Sequence, residues 1–344
     1  MNDFHSGFTL APEVKPVVAT SNWSINDYLG SVKVRFAINR DNYKVKPGLY
    51  SVGFPGDESE IFVSANYKLS FDILRKNLNG TDAWILVLDT KGINVWCAAG
   101  KGTFGTSELV NKINETLIAH RVNHRRIIVP QLGAPGIASH EVKLQTGFNV
   151  KYGPVRALDI QEFIDNKYNA TREMRRVTFD FFDRLKLIPV EWIFSFKYML
   201  ICMLIFITGS GFTGKEYSVS NLQTVGVITA LHIFMAFFSG TTLGPLLLPV
   251  LPFRGFSLKG AFAGLLTFIA ALILTGQWQI SVYNLSMLLI YLAAGSFFTM
   301  NFTGASTYTS LSGVKKEMKY AVPAQLIALG SGFLLFVLSR FIQL

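Results

Sequence analysis

The sequence has only two cysteines among its 344 residues, Cys97 and Cys202. A chain this poor in cysteine has no disulfide framework within its first half, and it lacks the four thiolates that an iron–sulfur cluster requires. Cys202 lies inside a long apolar run, where a small membrane-buried residue is expected. Cys97 is therefore the one thiol of the more polar half for which a chemical role is open.

The sequence also lacks any block in which charges of one sign are concentrated. The formal net charge is +10, yet no run of lysine and arginine has the character of a nucleic-acid-binding arm. Much of the excess lies just before and between the apolar runs, which is typical of membrane topology and of attraction to lipid. The polar N-terminus, with Asp3 and His5, lacks an apolar core. We therefore predict no signal peptide and no nucleic-acid partner.

Long apolar runs are absent before residue 194 and dominate after it. A membrane-spanning helix needs about 20 mainly apolar residues, and prolines near the end of the second run predict a kink or break there. We predict five spans, over residues 195–212, 222–251, 258–276, 283–301 and 321–341. The predicted domains are an N-terminal tail (1–22), a soluble ligand-binding domain (23–170), a juxtamembrane linker helix (171–194) and an all-α transmembrane domain (195–344).

The basic residues between the runs are unevenly distributed. Those on the side of the soluble domain are Arg254, Lys259, Lys315, Lys316 and Lys319, and those on the opposite side are Lys215 and Arg340. The positive-inside rule then predicts a multi-pass protein of the inner (cytoplasmic) membrane, with the soluble domain in the cytoplasm and the C-terminus outside. His232 is the one ionisable residue well inside a predicted span, either as a functional group or as a histidine hydrogen-bonded between helices.

The soluble half alternates strand-like and helix-like segments. We predict strands over 61–66, 83–88, 126–130 and 148–152, an extended piece over 92–96, and helices over 68–78, 107–120, 136–146 and 159–167. The run Ala83–Leu88 is apolar throughout, as in a parallel strand buried on both faces. This alternation predicts a doubly wound, Rossmann-like α/β sheet, which binds ligands at the carboxyl ends of its strands.

A glycine-rich segment, Asn94–Thr106, follows the most apolar strand, where such a ligand is expected. It is not a Walker phosphate loop, because Val95 stands where the first glycine belongs and Gly102 stands where serine or threonine should follow the lysine. Gly100, Gly102 and Gly105 have the GxGxxG spacing, but no acidic ribose ligand follows at a convincing distance. A nucleotide site is therefore poorly supported.

The residues alone leave three roles open for Cys97. It could be a nucleophile if a histidine base, His120, His124 or His140, lay beside it. No CxxC pair or histidine cluster accompanies it, which argues against zinc. A single thiolate suits a metal already held by a macrocycle, because that metal needs only an axial ligand. The remaining alternative is a buried structural cysteine.

The segment from Asn94 to Lys101 reads Asn-Val-Trp-Cys-Ala-Ala-Gly-Lys. It closely resembles the signature of the HgcA family, the membrane corrinoid proteins of the bacterial and archaeal mercury-methylation pair. The resemblance covers about residues 23–344 and extends to Pro47–Tyr50, Asn66–Leu69, Leu88–Asn94, Pro130–Pro135, Tyr152–Val155 and the hydroxyl-rich loop 301–313. The soluble half is also similar, more distantly, to the corrinoid-binding domain of the corrinoid iron–sulfur protein large subunit, whose cluster cysteines this chain lacks.

The resemblance implies a corrinoid-dependent methyltransferase that forms methylmercury from Hg(II). Cys97 would be the catalytic residue and the lower axial ligand to the corrinoid cobalt, and this chain would hold no iron–sulfur cluster. The implied partners are a ferredoxin-like protein with two [4Fe–4S] clusters as electron donor, and a methyl donor from the tetrahydrofolate pathway. The other implied cofactor-binding residues are Asn66, Asn94, Trp96, Gly100, Lys101, Gly102, Thr103, Gly105, Thr106 and Gln131.

Other interpretations remain. A corrinoid methyl carrier could serve another acceptor in one-carbon metabolism. A metal-ion transporter with a regulatory soluble domain is favoured by His232 and by the interrupted second run. A purely structural membrane anchor would contain no cobalt.

Overall fold

A computed structural model describes residues 15–214, 216–304 and 311–341 of the chain. It divides the chain into two compact units, one ending at Val177 and the other beginning at Thr178. Most of the predicted tail (1–14) and much of the hydroxyl-rich loop (305–310) lie outside the described residues. The expectation about a signal peptide therefore stays a prediction.

The first unit is built on a six-stranded sheet within its described residues. The strands are β1 (Val17–Val18), β2 (Gly48–Val52), β3 (Ile61–Ala65), β4 (Ala83–Leu88), β5 (Arg126–Val129) and β6 (Asn149–Tyr152). In space they follow the order β1-β2-β4-β3-β5-β6. β2 runs antiparallel to β4, and the other neighbouring pairs are parallel.

Helices cover both faces of this sheet. They are α1 (Ile25–Arg35), α2 (Lys68–Asn77), α3 (Val95–Lys101), α4 (Thr106–Thr116), α5 (Ser139–Thr146) and α6 (Ile160–Asp165). Because side chains alternate along a strand, Val63 of β3 belongs to the core shared with α4 and α5, and Phe62 belongs to the core shared with α2 and α6. The predicted α/β fold is thereby confirmed, with one antiparallel strand, β2, that was not predicted.

The order of the four parallel strands creates a switch point between β3 and β5. From β3 the chain crosses to β4 on one side, and from β5 it crosses to β6 on the other. The two connections leave in opposite directions, so a crevice forms beyond Ala65 and Val129, at the carboxyl ends of these strands. In doubly wound folds this crevice is the usual ligand site.

One local prediction is wrong, and it concerns the site. The extended piece expected over 92–96 is a turn followed by helix α3, which begins at Val95. Gly92 turns the chain with a φ of +77°, a value that favours glycine. The side chain of Asn94 then caps the helix, and this cap outweighs the extended preference of Val95 and Trp96. Strand β2 was not predicted, because its burial depends on pairing with β4.

The second unit is helical. Its helices are α7 (Phe181–Leu185), α8 (Ile188–Ser210), α9 (Val219–Phe238), α10 (Gly244–Leu247), α11 (Phe256–Thr275), α12 (Val282–Gly304) and α13 (Leu311–Leu338). Among the residues described, five helical segments are long and apolar enough to cross a membrane, as predicted. A π-helical turn over 239–243 separates α9 from α10, which ends at Leu247, before Pro249. The region 171–194 contains the short α7 and the start of α8 rather than one linker helix.

Small residues allow α11 and α12 to approach closely. A Cβ at Gly260 would collide with the carbonyl oxygen of Gly295, and a Cβ at Gly264 would collide with that of Tyr291. Small residues at helix crossings have this role in membrane bundles. His232 of α9 is fully buried, and its Nδ1 lies 3.3 Å from the Tyr291 hydroxyl on α12. It therefore makes the interhelical hydrogen bond that was one of its two expected roles.

Candidate functional site

Cys97 lies in the first turn of α3, on the connection that leaves the carboxyl end of β4. Asn94 is the N-cap residue of this helix, with an extended backbone (φ −64°, ψ 160°). Its side-chain oxygen accepts a hydrogen bond from the Cys97 backbone N–H at 3.0 Å. This bond satisfies a donor that the first turn of a helix leaves without a partner. The backbone of Cys97 is thus fixed, while its side chain is exposed.

Cys97 shares its face of α3 with a glycine and a lysine. Gly100 and Lys101 follow Cys97 by three and four residues, so they share its face, and both are exposed. A Cβ at Gly100 would meet no neighbour within 4 Å. Ala98 and Ala99 are buried on the opposite face. Helix α3 therefore presents its thiol on an open surface that a broad, flat group can approach.

A cavity of about 350 Å³ lies next to the start of α3, at the switch point of the sheet. Its walls come from β3, β5, α2 and the loops after β5 and β6, and α3 contributes Asn94, Val95 and Trp96. Most of the lining is apolar, as in the wall formed by Phe62 and Leu132. The indole of Trp96 is 37% exposed. This arrangement is typical of ligand sites, which combine an apolar pocket with a few polar groups.

Gln131 follows β5 in a 3-10 turn over 131–136. It stands between Pro130 and Leu132, two residues that line this cavity. Its side-chain oxygen is buried and has no hydrogen-bond partner among the described residues. Gln131 itself does not line the cavity, and leaving a buried acceptor unpaired costs about 1–3 kcal/mol.

Asn66 is placed beneath the site rather than facing it. Its side chain is 3% exposed, and its oxygen accepts hydrogen bonds from the Thr90 N–H (3.1 Å), the Thr90 hydroxyl (2.8 Å) and the Gly92 N–H (2.9 Å). Its nitrogen donates to Asp89 at 3.1 Å. The amide is used fully within the chain, and it holds the turn that leads into α3.

Asp89 and Lys91 form an ion pair of 2.7 Å on this turn. The hydrogen bond from Lys91 holds the pKa of Asp89 below its usual value, and the Asn66 amide contributes in the same direction. The Asp89 backbone N–H also donates to Glu108 of α4 at 2.8 Å. This network was not predicted from the sequence, because it joins residues as far apart along the chain as Asp89 and Glu108, or Asn66 and Thr90.

The segment after α3 is shaped by two glycines. Gly102 ends the helix in the left-handed conformation, with a φ of +80°, which glycine adopts without strain. A Cβ at Gly105 would lie 2.9 Å from the carbonyl oxygen of Gly102. The Thr103 hydroxyl lies 3.5 Å from the Ala98 carbonyl. These residues therefore fold the segment back onto α3.

Thr106 joins this segment to the loop after β5. Its hydroxyl accepts a hydrogen bond from the Ala138 N–H at 2.8 Å and donates to the Gly136 carbonyl at 3.4 Å. A Cβ at Gly136 would collide with the carbonyl oxygen of Phe104. The two loops at the carboxyl edge of the sheet are consequently packed tightly against each other.

The structure brings Asn94, Trp96, Cys97, Gly100 and Lys101 together on one short helix. The side chains of Asn66, Thr103 and Thr106 instead make hydrogen bonds within the chain that support this helix and the segment after it. The side-chain oxygen of Gln131 has no such partner among the described residues. Within the described residues, no group of three histidine, cysteine, aspartate or glutamate side chains could hold a metal ion. His124 contacts the Ser59 carbonyl at 3.0 Å near the amino end of β5, the end opposite to Cys97.

Residues 17–164 match the family model described as CO dehydrogenase/acetyl-CoA synthase delta subunit. Similar curated proteins are named acetyl-CoA decarbonylase/synthase complex subunit gamma. The one from Archaeoglobus fulgidus is 29% identical over 143 residues, 40% of this chain and 30% of that protein. The one from Methanopyrus kandleri is 28% identical over 147 residues, 42% and 31% of the two chains. The one from Methanothermobacter thermautotrophicus is 30% identical over 151 residues, 43% and 32%.

The chain thus spans about a third of the length of these relatives. The region matched by the family model runs from β1 into α6, so it coincides with the sheet and its covering helices. The comparisons show that the first unit is similar to subunits of the CO dehydrogenase/acetyl-CoA synthase system, and they support in part the predicted, more distant relation to the corrinoid iron–sulfur protein large subunit. The resemblance to the mercury-methylation family stays a prediction.

Proposed function

We propose that this protein is a corrinoid-dependent methyltransferase that forms methylmercury from Hg(II), with Cys97 as the lower axial ligand to cobalt. The observation that carries the proposal is the exposed Cys97 side chain on a capped helix at the carboxyl edge of the sheet. That helix holds the segment resembling the HgcA signature. The similarity of residues 17–164 to a CO dehydrogenase/acetyl-CoA synthase subunit supports corrinoid binding and one-carbon chemistry.

The residues around Cys97 fit a corrinoid. A macrocycle that already holds its metal needs one axial ligand from the protein, and Cys97 is the only thiol of the first unit. The open surface at Gly100 leaves room for a flat ring above the helix. The unpaired oxygen of Gln131 is buried beside two cavity-lining residues and would have to turn toward the cavity to accept a hydrogen bond from an amide of the ligand. Lys101 is exposed and supplies a positive charge next to the thiol.

The cofactor would supply the cobalt that carries the methyl group. Cys97, as an anionic ligand, would increase the electron density on that metal, as a thiolate does for haem iron. Such a ligand suits an electrophilic methyl acceptor like Hg(II). Asn94 fixes the backbone of Cys97, and Asn66 holds the turn before it, so the ligand position is set before the cofactor binds. The protein thereby contributes orientation and electronic tuning.

The low cysteine content of the chain determines which partner proteins it would need. Two cysteines cannot hold an iron–sulfur cluster, so electrons for the metal would come from outside. We assign that role to a ferredoxin-like protein with two [4Fe–4S] clusters. The methyl group would come from a tetrahydrofolate-dependent donor.

The second unit would place this chemistry at the inner membrane. Five apolar helical segments are long enough to cross it. The distribution of lysine and arginine between them favours a cytoplasmic first unit and an external C-terminus.

A second candidate is a corrinoid methyl carrier whose natural acceptor is not mercury. The comparisons favour it, because the similar proteins are named as subunits of the acetyl-CoA decarbonylase/synthase complex. The same Cys97 site would serve both candidates, and only the acceptor would differ.

The proposal is tested on the full chain, purified without oxygen. The wild type and a Cys202→Ala control should contain cobalt, show a corrinoid absorption spectrum and form methylmercury when supplied with a methyl donor and reductant. Cys97→Ala should change the spectrum and lose methylmercury formation. An unchanged spectrum and full activity in that variant would contradict the assignment of Cys97. A corrinoid-loaded protein that methylates other acceptors but not Hg(II) would establish the second candidate.

A further inference from the structure

Helix α1 carries an apolar stripe that faces away from the unit to which it belongs. Each residue of the stripe is between 41% and 78% exposed, and the set is Ile25, Tyr28, Leu29, Val32 and Phe36. At 100° per residue these positions lie on one side of the helix. The opposite side carries Ser31 and Val34, which are buried. A helix of a soluble protein normally buries its apolar stripe, so the orientation of α1 needs another explanation.

Cations border this stripe on both sides. By helical position, Lys33 lies at one edge and Arg35 at the other. From α2, the Lys76 amine lies 4.9 Å from the ring centre of Trp23 and 5.2 Å from that of Tyr28. An apolar stripe with tryptophan or tyrosine and flanking lysine or arginine is the composition of helices that lie in the membrane interface.

Positive charge continues beyond the helix. Arg40, Lys44 and Lys46 are exposed, and Asp41 is the one acidic residue between 36 and 46. The acidic residue of α1 itself, Asp27, is engaged on the buried side by Lys68 and Arg75. The outward surface of this segment is therefore apolar along its centre and predominantly basic around it.

We propose that α1 lies in the surface of an anionic lipid bilayer, with its apolar stripe at the boundary of headgroups and acyl chains and its cations on lipid phosphates. Two observations favour lipid over a protein partner. The same chain has five segments able to cross a membrane, so a bilayer is always within reach. The cations on both flanks also complement a negatively charged surface. The inference rests on membrane insertion of the second unit and is independent of the corrinoid chemistry.

The test places an environment-sensitive fluorophore on the stripe of the full chain. In a Cys97→Ala/Cys202→Ala background, Val32→Cys is labelled with a nitrobenzoxadiazole group. The matched control carries the same label at Leu144→Cys, a side chain of α5 that is 87% exposed. Both proteins are inserted singly into lipid nanodiscs of phosphatidylcholine, with or without phosphatidylglycerol, and quenching by nitroxide-labelled acyl chains is measured.

We expect the label at 32 to emit at shorter wavelength than the label at 144 and to be quenched by chain nitroxides, more strongly with phosphatidylglycerol. Leu29→Asp should abolish the quenching. Lys33→Glu/Arg35→Glu should remove the difference between the two lipid compositions. Leu29 and Lys33 are exposed and Arg35 is half-buried at the edge of the stripe, so the fold should be retained. Equal emission and no quenching at 32 would overturn the proposal. A shift to shorter wavelength without quenching would also overturn it, because protein rather than lipid would then cover the stripe.

Discussion

The side-chain oxygen of Asn94 accepts a hydrogen bond from the backbone N–H of Cys97 at 3.0 Å, so the residue before α3 fixes the residue proposed to bind cobalt. Asn66 acts one step earlier, because it accepts a hydrogen bond from the Gly92 N–H at 2.9 Å and so holds the turn before Asn94. The thiol is exposed, but the backbone that carries it is held at both of these points. A ligand position fixed before binding reduces the conformational entropy that binding must overcome.

Asn94→Ala should loosen α3. Loss of an N-cap costs about 1 kcal/mol, which corresponds to about fivefold faster hydrogen exchange by local opening. The amides of Cys97–Lys101, which are hydrogen-bonded to the cap or within the helix, should show this increase, and methylmercury formation should fall. Asn94→Asp retains a capping oxygen and should exchange like the wild type. Equal exchange in Asn94→Ala and Asn94→Asp would show that the cap does not hold the helix.

The sequence predicted those parts of the fold that depend on local composition. Ala83–Leu88 is recognisable as a buried strand because all six residues are apolar, and the five membrane segments follow from length and hydropathy alone. It did not predict the start of α3 or the support given by Asn66. The start of α3 is set by the turn at Gly92 and the cap by Asn94, which outweigh the extended preference of Val95 and Trp96. The support given by Asn66 depends on contacts between residues that are separated along the chain, such as Asn66 and Thr90. The motif identified Cys97, but only the fold places it on a helix.

Gly100→Ala should have opposite effects on the stability of α3 and on its affinity for a corrinoid. Alanine in place of an exposed helical glycine should stabilise α3 by up to about 1 kcal/mol. If a flat ring lies over this face, the added methyl group should weaken corrinoid binding at the same time. The measurements are the melting temperature of the protein without corrinoid and its Kd for an added corrinoid. Gly102→Ala is the matched control, because its φ of +80° makes alanine destabilising. Unchanged corrinoid affinity in Gly100→Ala would argue against a ring at this position.

Corrinoid binding should protect Cys97 from alkylation. Without the cofactor the side chain is exposed, so a bulky maleimide should label it rapidly. At a corrinoid concentration about a hundred times Kd, only about 1% of the site is free, and labelling should slow by about two orders of magnitude. Labelled and unlabelled peptides containing Cys97 are quantified by mass spectrometry, with a cysteine-free peptide of the chain as the internal reference. Undiminished labelling of Cys97 in a protein saturated with corrinoid would exclude a cobalt–thiolate bond.

The ion pairs of Asp27 with Lys68 and Arg75 should make the stability of the first unit depend on pH. Burial alone would raise the pKa of Asp27, but hydrogen bonds from Lys68, Ser24 and Arg75 outweigh it and hold that pKa well below its usual range. The stabilisation is therefore present above the unfolded pKa of about 4 and is lost as the pH falls further. Asp27→Asn should lower the free energy of unfolding by about 1 kcal/mol at neutral pH, because solvent partly screens these ion pairs. The difference in the free energy of unfolding between this variant and the wild type should shrink in acid. It is measured by denaturant unfolding, with hydrogen exchange used to follow the first unit. A pH-independent difference would contradict the role of the carboxylate charge.

Gly264→Ala should destabilise the second unit through a collision between α11 and α12. A Cβ at this position would collide with the carbonyl oxygen of Tyr291, which is backbone and cannot rotate away. Overpacking of this kind costs about 1–3 kcal/mol, and the loss is measured by unfolding in mixed micelles. Gly330→Ala is the matched control on α13, because a Cβ there would meet no neighbour within 4 Å. That variant should be neutral or slightly stabilising. Equal stability of the two variants would mean that α11 and α12 do not depend on the close approach at Gly264.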